Sequence, residues 1–137
     1  MNTQHENSYM MFFRGDEWYR DLSYDEIQNL IKRNHAWIED LIAHGKAIPG
    51  HALQPKGATV SGKNGGILSD GPFAESKEVI GGYLILNVQT LEEAIAIARA
   101  NPSLSYGGSI EIRPVAQECP LDVRARELAR EEQLIPA

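Results

Sequence analysis

His35 is the side chain best suited by type and position to move a proton. Imidazole takes up and releases a proton in the range where most enzymes work, which makes histidine the commonest general base. At about 100° per residue, His35 falls beside Ile31 and Ile38, at the edge of an apolar stripe. One side of the ring then meets the core and the other an opening. The same position also suits a flank histidine bonded to a backbone carbonyl. Asp70 is the second candidate, a carboxylate at a strand end ahead of Gly71-Pro72. It can hold a proton, or start a turn through its own backbone. Around it Ser69 offers a hydroxyl, Phe73 an apolar wall and Lys77 an attraction for anions, with Glu75 and Glu78 completing a solvated rim. Arg14 can grip a carboxylate with two parallel N–H donors, or pair with Asp16 or Glu17.

His35 needs a helix and Asp70 a junction of strand and loop. Ser23 with Glu26 three residues on forms a capping box. Beyond it Ile27, Leu30, Ile31, Ile38, Leu41 and Ile42 recur at helical spacing, and Gly45 supplies a left-handed stop. The pattern predicts a helix over Tyr24–His44. Upstream, Tyr9–Phe13 reads as a buried strand. Residues 46–57, with two prolines, read as irregular. Thr59-Val60 and Ile67-Leu68 flank Lys63-Asn64-Gly65-Gly66, a hairpin signal. Gly82–Val88 is an apolar central strand. Thr90-Leu91-Glu92-Glu93 reads as a second capping box, opening a helix that Asn101-Pro102 stops. Ile110 and Ile112 alternate with Glu111 and Arg113 in a half-exposed strand ended by Pro114.

This order predicts an α+β fold, the ferredoxin-like split β-α-β unit with helices on one face of an antiparallel sheet. Tyr9–Phe13 and Gly82–Val88 are apolar on both alternating sets. The other face then needs a cover, which predicts a homodimer packed sheet to sheet.

A chain of 137 residues is the size of one domain. That domain is expected over residues 1–117, with 118–137 as a charged helical extension. The net charge of -6 argues against nucleic acid as a partner. Cys119 is the only cysteine, which excludes an intrachain disulfide and fits a cytoplasmic setting. The start lacks the charged and apolar segments of a signal peptide, and no apolar run approaches the roughly 20 residues that span a membrane. His5, His44 and His51 lack metal-ligand spacing. No phosphate-binding glycine loop or nucleophile elbow is present, so no cofactor is expected. Trp18 and Trp37 read as core or interface.

The run from Ser69 through Asp70-Gly71-Pro72-Phe73 to Glu78, continued by Gly81-Gly82-Tyr83, resembles the YCII-related family in its DGPF branch. The likeness extends over roughly Tyr9–Val115 and takes in Leu53-Gln54-Pro55, Thr90–Ala94 and Ile112–Val115. It implies a dimeric ferredoxin-like fold and a site pairing a histidine of the first helix with an acidic residue, here His35 and Asp70. That histidine is typical of the YCII branch and less uniform in the DGPF branch. Some relatives act on small ring compounds, and DGPF relatives are associated with sigma-factor regulation. The expected function is cofactor-free proton transfer, an elimination or isomerisation in which His35 moves the proton and Asp70 orients it. The alternative is a non-catalytic ligand-binding or regulatory dimer linked to transcription control.

Overall fold

Alternate residues of two neighbouring strands, Met11 on one and Leu84 and Leu86 on the other, are almost wholly buried, and the helices lie over them. The computed structural model describes residues 8–62, 66–72 and 79–133, with 66–72 and Gln133 as backbone. Within these the order is β1 (Ser8–Arg14), α1 (Tyr24–Ala43), β2 (Ala47–Ala52), β3 (Lys56–Ser61), β4 (Gly66–Pro72) and β5 (Ile80–Asn87). Then come α2 (Leu91–Arg99), a 3-10 helix (Pro102–Tyr106), β6 (Ser109–Pro114) and α3 (Pro120–Gln133). The main sheet has four strands in the order β2-β5-β1-β6, with every pair antiparallel. Two β-α-β units, β1-α1-β2 and β5-α2-β6, interleave in it, which is the ferredoxin-like arrangement.

The register explains the core. Met11 stands opposite Leu84 and Ile112, and Leu86 opposite Tyr9 and Ala47. Side chains alternate between faces, so these residues share the helix side with Phe13, Trp37, Ala94 and Ala98. Their neighbours in sequence, Met10, Phe12, Tyr83 and Ile85, are half-buried on the opposite face beside the exposed Ile48. On that face Arg14 pairs with Glu111 at 2.5 Å, diagonally across β1 and β6.

Two sequence expectations change. Residues 46–57 are not irregular, because Ala47–Ala52 is the edge strand β2, paired with β5. Pro49 and Gly50 hide it from a pattern search, and proline is tolerated there because an edge strand leaves one row of donors unused. The hairpin, in turn, is not part of the main sheet. β3 and β4 form a separate two-stranded sheet, and its expected turn at Lys63-Asn64-Gly65 lies outside the described residues.

The helix ends follow their chemistry. The Glu26 N–H donates to Ser23 Oγ at 3.1 Å, and the Glu26 carboxylate accepts from the Ser23 N–H at 2.8 Å. At the far end Gly45, with φ +69°, allows its own N–H to reach the Ile42 carbonyl and the Lys46 N–H to reach that of Leu41. This is a Schellman stop. At α2 only half of the expected box forms: Thr90 Oγ1 accepts from the Glu93 N–H, but the Glu93 carboxylate accepts from the Gln89 N–H instead of that of Thr90. Lys46 explains the displacement, since its Nζ lies 2.7 Å from Glu93 Oε2. α3 starts under the Cys119 carbonyl and carries its own ion pairs, Arg124 with Glu127 and Arg126 with Glu118. No helix among the described residues is long and apolar enough to cross a membrane.

The Lys46 hydrogen bond, and after it the Gln89 N–H, hold the Glu93 carboxyl below its ordinary range. A lowered folded-state value means that the stabilisation is full above the unfolded value and is lost as pH falls through the folded one. Glu93→Gln is therefore expected to flatten the acid limb of stability against pH, as measured by urea midpoints between pH 3 and 7 (approximate limits that bracket carboxylate titration).

Candidate functional site

The helix face of the sheet is not filled along its whole length. Where β1 ends and β5 begins, a cavity of about 520 Å³ opens beside α1, and its lining takes in residues of both sheet faces, Arg14 and Tyr83 included. Phe13, Gly82, Leu84 and Ile110 line it from the strands, and Asn34, Trp37 and Ile38 line it from α1. Trp18 and Tyr19 contribute from the segment after β1, Pro49 through Ala52 from β2 and Leu53 from just beyond it. The wall is mostly apolar, with polar side chains at a few points, as suits a small-molecule site.

The β2 wall has a local cause. Pairing with β5 runs regularly to Pro49 opposite Leu84 and resumes at Ala52 opposite Gly82, so Gly50 and His51 bulge out against Tyr83. A Cβ on Gly50 would overlap the Tyr83 carbonyl oxygen and lie 2.6 Å from two carbons of its ring. Only glycine lets the strands approach this closely. The bulge re-aims the next residue, a common role for bulges beside functional sites. His51 then meets the Tyr83 ring edge-on, with centroids 6.0 Å apart, and lines the cavity. Two further edge-on pairs line it: Phe13 with Trp37 at 6.2 Å and Trp18 with Tyr19 at 5.1 Å. The Trp37 indole N–H donates to the Ile97 carbonyl of α2 at 3.2 Å, which fixes the ring.

A sequence model of the YCII-related domain matches residues 9–118. The chain belongs to the YCII-related family. A 54-residue stretch, 36% of this YCII-related chain, is 46% identical to an uncharacterised protein of Rhizobium meliloti strain 1021. The match spans 41% of that relative's length. Among solved structures the chain is similar to the 5-chloro-2-hydroxyhydroquinone dehydrochlorinase of Burkholderia phenoliruptrix AC1100, in complex with 2,5-dihydroxybenzoquinone. That likeness has 19% identity and a TM-score of 0.40, covering 76% of this chain and 90% of the other.

Against this geometry the residues expected from sequence divide. Arg14 lines the cavity and contacts Glu111 at 2.5 Å. Trp18 and Trp37 are cavity wall as much as core. His35 is exposed on α1 and does not line the cavity. It follows Asn34 and so points about 100° away round the helix. Ser69 and Asp70 lie within β4, opposite Thr59 and Ala58, in a strand described only as backbone. Phe73 and Lys77 lie outside the described residues. His51, which sequence reasoning weighs only as a metal ligand, lines the cavity. Its signal was the Pro49-Gly50 pair ahead of it, which reads as loop until the β5 partner is known.

Gly50→Ala is expected to cost roughly 1–3 kcal/mol, the usual range for overpacking. It should also displace the Tyr83 ring, which urea denaturation together with near-ultraviolet circular dichroism would detect.

Proposed function

We propose that this YCII-related chain takes a small, flat, largely apolar ring compound into the cavity beside α1 at the end of the sheet, and that His51 exchanges a proton with it. The observation that carries this reading is the set of three edge-on aromatic pairs facing one cavity. Such walls offer flat faces and positively polarised edges to another ring. An elimination or isomerisation needs a base and then an acid, and one imidazole serves as both in turn. The proposal moves the proton-transfer role expected of His35 and Asp70 to His51, because both histidines are exposed but only His51 lines the cavity. The Asp70-Gly71-Pro72-Phe73 motif supports a place in the DGPF branch. The apolar set of Met10, Phe12, Ile48 and Ile85 on the other face supports a homodimer.

Exchange of the acetophenone methyl protons for deuterium, followed by NMR, reports the elementary proton transfer. The protein should accelerate it, and His51→Gln should remove about 100-fold of that acceleration, a larger loss than His35→Gln causes. A larger loss with His35→Gln would return the role to His35. Acetophenone binding without exchange would favour the ligand-binding or regulatory reading. The dimer has its own check. In sedimentation equilibrium the wild type should show twice the chain mass, and Ile48→Arg, at a site 41% exposed in the single chain, should show the chain mass.

A further inference from the structure

The cavity has a polar end that the ring-binding reading leaves unused. Asn34 of α1, Asn101 and Ser103 all line it. Asn101 and Ser103 are only 4% and 8% exposed. Their hydrogen bonds form a chain whose direction is fixed by one backbone group. The Ser103 N–H donates to Asn101 Oδ1 at 2.9 Å, so the oxygen end of that amide is assigned. Its Nδ2 must then be the atom that donates to Asn34 Oδ1 at 3.3 Å. The Asn34 Nδ2 is left to donate to Ser103 Oγ at 3.4 Å. A hydroxyl that accepts here keeps its own hydrogen, and each amide nitrogen carries a second one. Among the described residues no acceptor takes the Ser103 hydroxyl hydrogen. Among the described residues three hydrogens are thus left over, one on each amide nitrogen and one on the Ser103 hydroxyl.

Gly108 keeps this end open. A Cβ there would lie 3.0 Å from the Ser103 carbonyl oxygen and 3.3 Å from a carbon of the Trp18 ring. Any larger residue would press on Ser103 and on the aromatic wall together.

We infer that Ser103, with the Asn34 and Asn101 amides behind it, is a donor site for an oxygen of the ligand, a ring carbonyl or the enolate or phenolate derived from one. The inference rests on the ring-binding reading and names the ligand group that the reading lacks. It also gives that chemistry a second partner. When a base removes a proton next to a carbonyl, the C–H electron pair moves into the new C=C bond and the carbonyl π pair moves onto oxygen. Donors aimed at that oxygen stabilise the charge it acquires. The proton rests on the base and returns in the second half of the reaction, so no oxidant or reductant is required.

The test uses two probes of nearly one shape, acetophenone and α-methylstyrene, which differ by C=O against C=CH₂. Titration is followed by the fluorescence of Trp18 and Trp37 and by the side-chain amide resonances of Asn34 and Asn101. Acetophenone should bind about tenfold tighter, the worth of one or two hydrogen bonds, and should shift both amides. Ser103→Ala should bring the two affinities within about twofold to threefold of each other by weakening acetophenone alone. Equal binding of the two probes by the wild type would overturn the donor site while leaving the ring-binding reading in place. Binding of neither probe would overturn both. The wild-type comparison decides the matter even if the Ser103 variant fails to fold.

Discussion

The register between β1 and β5 is the constraint on which the rest of the molecule depends. Side chains on a strand alternate faces, so a slip of one residue would expose every core residue at once. Met11 opposite Leu84, with Leu86 beside them, must lie under the helices because together they form the most buried part of the core. That choice places Phe13 and Gly82 on the same side, further along, where the helix cover thins and the cavity begins. It also turns Tyr83 so that its backbone and ring lie against Gly50. The bulge in β2 and the direction of His51 are thus consequences of packing several residues away.

Most of the fold was legible in the sequence because its signals are local. Ser23 and Glu26 fix the start of α1 through two hydrogen bonds three residues apart, and Gly45 fixes its end. Asn101-Pro102 stops α2 for a reason contained in the dipeptide, since Asn101 caps the next helix through the Ser103 N–H. Glu93 marks the limit of such reasoning. Its spacing from Thr90 predicts a reciprocal cap, yet Lys46, distant in sequence, draws the carboxylate aside.

The candidate site was less legible, and for one reason. A helical wheel locates a side chain only relative to the buried stripe, whose centre is known once the packing is known. The wheel puts His35 at the edge of the stripe beside Ile31 and Ile38, but Ile31 is 44% exposed. The buried line passes through Leu30, Asn34, Trp37 and Leu41, which leaves His35 outside. Asn34, a polar residue on the buried side, was the visible sign of a polar partner below. The β2 strand escaped notice for a related reason: proline and glycine announce a loop unless an edge position excuses the first and a close neighbour requires the second.

Trp37 belongs to two structures at once. Its ring forms cavity wall, while its N–H is tied to a carbonyl in the last turn of α2. A guest that displaces the ring must strain or break that tether, so occupancy and the integrity of the α2 terminus are thermodynamically linked. By reciprocity, anything that loosens the end of α2 from its solvent side alters how readily the cavity fills. The outer surface of this helix is therefore a place from which affinity can be tuned at a distance.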